Sequence, residues 1–201
     1  TVMRSMDLYY QYLNAGFHLP IGAGTDKMSE GIPVGSNRLY ARFAGSPTYD
    51  AWLEGLKAGN GFVTNGPMLT FEVDGHTSGD VVKFEGRKEV KARATARSIL
   101  PFASLEIIVN GESAAIQEKA KQVGGIYQME IEATLDLQRS SWVAARVAEE
   151  PGMHQRILPR GLTVFAHTNP LYYLRSGAKV REAGSIAYLQ KYVKGATHWL
   201  N

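Results

Sequence analysis

The feature that most constrains this chain is the regular alternation of apolar and polar side chains in two of its segments. Between Val90 and Arg97 the apolar residues alternate with Lys, Arg and Thr, and between Tyr127 and Leu135 they alternate with Gln, Glu and Thr. Side chains of a β-strand point to opposite faces in turn, so this period predicts strands with one buried and one solvated face. Because one polar face is basic and the other acidic, the two strands would pair opposite charges if they were neighbours.

The dipeptide Asn110–Gly111 follows the apolar run Leu105–Val109 and predicts a β-hairpin. Asn and Gly both tolerate a positive φ, which a type I′ turn requires at its two central positions, and Glu112–Ile116 would be the returning strand. Seven or eight short strands at this spacing favour an antiparallel β-sandwich of immunoglobulin-like kind. Four further strands are predicted from apolar or alternating runs: Leu69–Val73, Val81–Phe84, Trp142–Val147 and Leu162–His167.

The first 60 residues show a different pattern, which is typical of β/α units. Apolar residues recur at helical spacing between Ser5, a suitable N-cap, and Gly16, a suitable C-terminal cap, and this predicts a short amphipathic helix. The run Phe17–Asp26 is apolar and small without alternation, which predicts a strand buried on both faces, as in a parallel sheet. A further strand is predicted over Asn37–Phe43 and a second helix over Pro47–Ala58.

Together these patterns predict an α+β chain that is mainly β. We expect an incomplete β/α part over residues 1–60, an immunoglobulin-like antiparallel sandwich over residues 61–180 and a C-terminal helix over residues 181–201. Apolar residues return to helical spacing in the last part, and the helix is expected to pack on the sandwich or on the first segment. Because the β/α part is incomplete and starts at Thr1, we interpret the chain as the end of a longer one.

The composition excludes several classes of protein and partner. The chain has no cysteine, which excludes a disulfide scaffold, a thiol nucleophile, an iron–sulfur cluster and a cysteine-ligated zinc site. Its longest apolar stretches are far shorter than the roughly 20 residues that span a bilayer, so we expect no membrane-spanning segment. The 22 basic residues exceed the 19 acidic ones by only three, and no run of Lys and Arg occurs, so we expect no nucleic-acid partner.

Asp26 is the first candidate for chemistry, because it ends the predicted buried strand. In β/α barrels, catalytic groups and metal ligands lie at the C-terminal ends of the strands. A carboxylate at this place, beside the small residues of Gly22–Thr25, would suit a hard metal ion or act as a general base. The alternative is that Asp26 caps the following loop.

Two further residues are candidates for contact with a substrate. The five histidines form neither a His-x-His nor a His-Glu-x-x-His pair, so the sequence predicts no self-contained metal site. His167 ends an apolar strand and is a candidate substrate contact, with a hydrogen-bonding role at the sandwich edge as the alternative. Arg38 could hold two oxygens of an anionic substrate with its planar guanidinium, or it could lie solvated or salt-bridged on its strand.

The aromatic residues support a function of another class. They could form a platform on which sugar rings stack, although aromatic side chains at apolar positions more often belong to a core. The sandwich would then be a binding or assembly module that recognises a glycan or a partner subunit. Burial of Trp142 and Tyr172 would remove the main support for this idea. The aromatic residues in question are Trp52, Trp142, Trp199, Tyr172 and Tyr173.

Five segments of the sequence are informative when they are considered together: Tyr9–Phe17, Leu19–Met28, Val34–Tyr40, Phe62–Pro67 and Ala166–Tyr172. They resemble the C-terminal portion of bacterial metallohydrolases of the polymerase-and-histidinol-phosphatase (PHP) superfamily, in its carbaryl-hydrolase-like branch. The resemblance runs over nearly the whole chain, and its second half is specific to that branch alone.

This resemblance implies a distorted β/α barrel that holds two or three divalent metal ions, such as Zn, Mn or Fe, in the parent protein. Family ligands come from early His-x-His motifs, from middle His and Glu residues and from a late Gly-[Ser/Thr]-Asp-x-His motif. A metal-bound hydroxide attacks a phosphate, carbamate or similar ester of a small-molecule substrate. Asp26 matches the aspartate of the late motif, while Met28 stands where the family has histidine. We therefore expect the chain to lack a complete active centre, and a homo-oligomer is compatible with this interpretation.

Overall fold

A computed structural model describes residues 2–28, 30, 33–148 and 164–200 of the chain. Strands dominate its regular structure, as the alternating sequence patterns predict. The helices and strands of the described residues follow one another in this order: α1 (Val2–Asn14), β1 (Arg38–Ala41), α2 (Tyr49–Lys57), β2 (Gly61–Thr64), β3 (Met68–Val73), β4 (Val81–Phe84), β5 (Lys88–Ser98), β6 (Ser104–Val109), β7 (Glu112–Glu118), β8 (Lys121–Val123), β9 (Ile126–Leu137), β10 (Ser141–Ala148), β11 (Ala166–Thr168), β12 (Leu171–Arg175) and α3 (Ala183–Leu200).

The strands form a large and a small sheet that face each other in a sandwich-like arrangement. The large sheet has the order β1-β2-β11-β10-β12-β4, with β6 paired to β10 and β7 paired to β6, and the small sheet has the order β3-β5-β9-β8. Neighbouring strands are antiparallel throughout the described pairs except for β12 and β4, which are parallel. The main core lies between the sheets and takes buried residues from both, including Ala94 and Ile131 of the small sheet and Leu105 and Val147 of the large one.

The pairing of β5 with β9 confirms the prediction made from the alternating segments. Ala92, Ala94 and Ala96 of β5 point into the core and are almost completely buried. On the solvated face Arg93 lies opposite Glu132 in the register, and its Nε donates a hydrogen bond to Oε1 of Glu130 over 2.7 Å. The basic and the acidic faces therefore meet across the sheet as expected.

The hairpin at Asn110–Gly111 is also confirmed. Both residues have a positive φ, of 51° and 94°, which is the requirement of a type I′ turn. Val109 pairs with Glu112 directly across the turn, and the ladder between β6 and β7 continues to Glu118 with one irregularity between Ile107 and Ile108.

The predicted buried strand over Phe17–Asp26 is wrong. The structure has no strand there: the segment is irregular, and the side chains of Phe17 and Leu19 are 51% and 39% exposed. Side-chain groups of other elements hold it in place, because Tyr9 donates to the Leu19 carbonyl over 2.7 Å and Asn169 accepts from the Ile21 amide over 2.6 Å. The apolar composition indicated a preference for burial and could not specify a neighbouring strand.

The other elements of the first 60 residues agree with the sequence. The first helix occupies Val2–Asn14 and is followed by Gly16 at a φ of 91°. Because the helix begins at Val2, Ser5 lies inside it, and the N-cap predicted at Ser5 is wrong. Strand β1 and helix α2 both lie inside their predicted ranges, and Thr48 caps α2 by accepting from the Ala51 amide over 3.1 Å. Strand β1 pairs with β2 at the edge of the large sheet. The proposed domain limits, like the barrel origin of the first part and the immunoglobulin-like topology, stay predictions.

Helix α1 covers the outer face of the large sheet and forms a second core with it. Met6, Tyr10 and Leu13 pack there against sheet residues such as Ile108 and Trp142, all of them buried. The C-terminal helix is confirmed as α3, and its start is tied to the end of α1 by a 2.8 Å hydrogen bond from the Glu182 amide to the Asn14 carbonyl. Of the predicted strand Leu162–His167, the first two residues lie outside the described residues and the remainder overlaps β11.

The arrangement of the main core leads to a stability prediction. Leu105 is fully buried, and its replacement by Ala is expected to lower the free energy of unfolding by about 3 kcal/mol, because apolar burial is lost and a cavity remains. Ile116 on the paired strand β7 is 55% exposed, and Ile116→Ala is expected to cost less than about 0.5 kcal/mol. Urea denaturation of both variants measures the difference, and equal losses would contradict the placement of the core.

Candidate functional site

His167 lies on β11 at the centre of a buried polar cluster between the large sheet and α1. Its side chain is fully buried. Nδ1 is 2.6 Å from the carbonyl oxygen of Thr168, so this nitrogen carries the proton and donates it. Nε2 is then the acceptor, and the hydroxyl of Tyr10 donates to it over 2.8 Å. The hydrogen bonds thereby select one neutral tautomer of the imidazole.

Arg146 and Glu106 extend the same cluster along the neighbouring strands β10 and β6. They lie opposite each other in the register, and Arg146 Nη2 donates to Glu106 Oε2 over 2.7 Å. The other Arg146 amino group, Nη1, is 3.4 Å from the Tyr10 hydroxyl. Ser104 donates to Glu106 Oε1 over 3.1 Å, so the carboxylate is bonded through both oxygens. Both charged side chains are largely buried, which makes their pairing a requirement rather than a small addition to stability.

Burial sets the protonation states of this cluster. It lowers the pKa of His167 to about 4, and the nearby positive charge of Arg146 acts in the same direction. Burial also raises the pKa of Tyr10 to about 12, against the opposing effect of Arg146. At neutral pH the imidazole and the phenol are therefore both uncharged. The cluster joins α1 to the sheet, and a substrate could contact His167 only if α1 moved away.

Asp26 is exposed at the surface, at the end of the irregular segment that stands in place of the predicted strand. It has a φ of 46° and an exposed side chain. The residue before it, Thr25, anchors this end of the segment, because its hydroxyl accepts from the Gly35 amide over 2.9 Å and contacts the Asn37 carbonyl at 3.3 Å. Met28, at the position where the resembled family has histidine, is 85% exposed.

Arg38 lies close to this anchoring point. Its Nη1 donates to the Gly35 carbonyl over 2.9 Å, while its Nε is buried and has no hydrogen-bond partner among the described residues. Gly35 thus binds both residues: its amide donates to the Thr25 hydroxyl, and its carbonyl accepts from Arg38. The structure therefore places Arg38 near Thr25, the residue before Asp26. His167 lies in a separate, buried cluster.

A cleft of about 630 Å³ lies beside the irregular segment from Leu19 to Gly24. It is lined by Met6 and Tyr9 of α1, by the segment from Leu19 to Gly24, and by Val63 of β2 and Phe165, which precedes β11. The lining is mainly apolar with a few amide and hydroxyl groups, a composition that is typical of sites for small molecules or for a further chain segment.

The aromatic residues proposed as a sugar platform are mostly in the core. Trp142 and Tyr173 are fully buried, and Tyr172 is only 5% exposed. His18 stacks on Tyr172 with the ring centroids 3.8 Å apart, and the indole of Trp142 donates to Asn14 over 2.7 Å. The main support for glycan recognition is therefore lost.

Sequence reasoning missed the buried cluster of Tyr10, Arg146 and Glu106, although a signal was present. Glu106 interrupts the apolar run of β6, and Arg146 interrupts that of β10. A single charge inside a strand that is otherwise apolar on both faces must be paired, so two such strands could have been proposed as neighbours.

Comparisons with known proteins add no relative: no protein-family model, curated protein or solved structure matches the chain. Within the described ranges, no cluster of three or more His, Asp or Glu side chains could hold a metal ion. The helices α1, α2 and α3, as far as they are described, are each too short or too polar to cross a membrane.

The buried imidazole leads to a prediction about pH. In the unfolded chain His167 has its ordinary pKa near 6.5, so between about pH 6.5 and pH 4 the unfolded chain binds a proton that the folded chain does not. Its contribution to the free energy of unfolding is therefore constant above pH 7 and falls by about 3 kcal/mol as the pH decreases to 4. Chemical denaturation at several pH values, compared with His167→Gln, isolates this contribution.

His167→Gln should show a shallower loss of stability on acidification than the unchanged protein. An NMR titration of the folded protein provides a second measurement that does not depend on how well the variant folds. An imidazole that titrates near pH 6.5 in the folded protein would contradict the buried, neutral state.

Proposed function

We propose that this chain forms the C-terminal part of a metal-dependent hydrolase that acts on phosphoesters, carbamates or amides. The observation that carries the proposal is the conformation of the segment from Leu19 to Asp26. It has the composition of a buried strand but lies at the surface, and the backbone groups of Gly22, Ala23 and Gly24 have no hydrogen-bond partner among the described residues. A backbone at the surface whose amides and carbonyls are unpaired is available for pairing with another strand.

In this proposal the segment joins the catalytic part of the molecule and presents Asp26 there. A carboxylate oxygen is a good ligand for Zn, Mn or Fe. The Cβ positions of Gly22 and Gly24 have no atom within 4 Å, so both residues leave room for a close approach. The described residues supply this one candidate ligand and no cluster, whereas metal sites commonly use three or four. They do not hold a metal by themselves, and the remaining ligands would come from another part of the protein.

Arg38 is the candidate for binding an anionic group of the substrate. It follows Asn37, which lines the cleft of about 630 Å³, and it is fixed through Gly35 to the same turn as Thr25. A guanidinium can bind two oxygens of a phosphate or carboxylate at once. His167 is not assigned a role in this proposal, because its two ring nitrogens are already bonded inside the protein.

The test compares the full gene product with the 201-residue chain on a phosphoester, a carbamate and an anilide in the presence of Mn²⁺ or Zn²⁺. We expect the full product to hydrolyse one of them and the chain alone to be inactive. Asp26→Ala in the full product should lower kcat/KM by about 100-fold, which is roughly 3 kcal/mol of transition-state stabilisation. Asp50→Ala removes another exposed carboxylate, in the first turn of α2, and serves as the matched control.

Two results would contradict this proposal in different ways. A full product that hydrolyses none of the phosphoester, the carbamate and the anilide would overturn the hydrolase function. Metal-dependent hydrolysis by the 201-residue chain would show that the chain holds a complete site, which contradicts the role given to Asp26 as one ligand among several.

A second candidate function is assembly with another copy of the chain, and the exposed side of α3 favours it. Tyr188, Tyr192 and Val193 are 43%, 63% and 64% exposed. A groove of about 780 Å³ lies between this side of α3 and the end of α1, and the helix contains no acidic residue and only two lysines. A face of this apolar character is typical of homodimer interfaces.

Light scattering tests the assembly proposal. We expect the chain to be a dimer at about 100 μM, and Val193→Ser combined with Tyr192→Ser should return it to a monomer, because apolar contact area is lost. Lys191→Ser on the same helix changes an exposed side chain without removing apolar area and should leave the dimer intact. A monomeric unchanged chain at this concentration would rule out the interface.

A further inference from the structure

The solvated side of the small sheet contains a concave pocket with three cationic side chains in its lining. Arg97 of β5, Lys119 from the connection between β7 and β8, and Lys121 of β8 all line it. The pocket has a volume of about 340 Å³, which is at the lower end of the range for small-molecule sites. It is remote in sequence from Asp26 and Arg38, and it plays no part in the proposed hydrolase function.

The fold builds this pocket where the chain passes from the large sheet to the small one. Strand β7 pairs in the large sheet, Lys119 turns the chain with a φ of 68°, and β8 then pairs with β9 of the small sheet. In the register Gln128 of β9 lies between Lys121 on one side and Arg97 on the other. The three residues form one row across adjacent strands about 5 Å apart, and Lys119 closes the pocket at one end.

The charges of this row differ from those on the rest of the same sheet. Arg93 is bonded to Glu130, and Arg87 donates to Asp136 over 2.6 Å, so these cations are neutralised by neighbours. Arg97, Lys119 and Lys121 have no ion-pair partner in the part of the chain that the structure describes.

A single carboxylate faces the pocket among its lining residues. It belongs to Glu130, whose Oε1 already accepts from Arg93 on the same face. The remaining polar groups are the amides of Gln117 and Gln128 and the hydroxyl of Thr95, which is bonded to Thr70 over 2.6 Å. The side-chain amide of Gln117 already donates to the Glu118 carbonyl over 2.6 Å. The pocket therefore presents three cations without an ion-pair partner among the described residues and the amide of Gln128, against the single carboxylate of Glu130.

We propose that this pocket binds a phosphate group, either free or as part of a small phosphate ester. A guanidinium offers a planar pair of N–H donors that matches two phosphate oxygens, and each ammonium adds a charge-assisted hydrogen bond. Three cations match the charge of a phosphate dianion better than that of a monocarboxylate. The small volume favours a compact ligand.

The test is a calorimetric titration of the chain with inorganic phosphate in the presence of a chelator, which removes metal-dependent binding. We expect a Kd of about 1 mM, in the range that a few charge-assisted hydrogen bonds provide. Arg97→Gln and Lys121→Gln should each weaken binding by about tenfold or more. Lys91→Gln is the matched control, because Lys91 lies on the same face of β5 and its replacement removes the same charge.

Two results would overturn the proposal. One is the absence of measurable binding up to about 10 mM phosphate, and the other is an equal loss in Lys91→Gln, which would indicate a general charge effect. A parallel titration with glycerol 3-phosphate distinguishes the two sources of the phosphate group. Equal affinities assign the pocket to free phosphate, and tighter binding of the ester assigns it to a phosphate carried by a larger molecule.

The phosphate site and the hydrolase proposal can fail separately. Asp26→Ala, which should lower kcat/KM of the full product by about 100-fold, should leave phosphate binding by the chain in the presence of the chelator unchanged. Thermal unfolding of the Arg97 and Lys121 variants is expected to match that of the unchanged chain, since both side chains are exposed.

Discussion

The structure depends on the burial of the large sheet on both of its faces. Strands β6, β10 and β12 are buried almost without interruption along their length, with the small sheet on one side and α1 on the other. Any polar group in these strands is cut off from water and must find its partner within the protein. The ion pair of Arg146 with Glu106 and the bond between Tyr10 and His167 meet most of this requirement, although the buried Nε of Arg146 has no hydrogen-bond partner among the described residues. The bond between Tyr10 and His167 also fixes how α1 sits on the sheet.

The same requirement bears on the surface beside α1, where we propose a contact with another part of the protein. Helix α1 covers only part of the outer face of the large sheet. The irregular segment from Leu19 to Asp26 lies beside it and is held by single hydrogen bonds to the side chains of Tyr9 and Asn169, not by a ladder of strand pairing. Gly35 links both Thr25 and Arg38 to this surface. The proposed hydrolase role thus rests on a segment without strand pairing, whereas the proposed phosphate pocket rests on the paired strands β5, β9 and β8 of the small sheet.

Local patterns predicted much of the fold because they depend on neighbouring residues alone. The alternation in β5 and β9 and the turn at Asn110–Gly111 needed no knowledge of distant partners. The segment Phe17–Asp26 was assigned wrongly because apolar composition does not say which element will provide the cover. Similarly, Asp26 and Arg38 could be named as candidates, but their connection through Gly35 and the burial of His167 under Tyr10 depend on contacts between distant parts of the chain.

The order of strands in the large sheet has a consequence for synthesis of the protein. Strand β2 pairs with β11 about a hundred residues later, and β4 pairs in parallel with β12 at Leu171–Arg175. Such distant closures are slow, because a long loop must be ordered before the contact forms. The sheet cannot be completed until the chain beyond Arg175 has left the ribosome. While the roughly one hundred intervening residues are synthesised, β2 and β4 lack these partners, and their unpaired edges can bind to other chains.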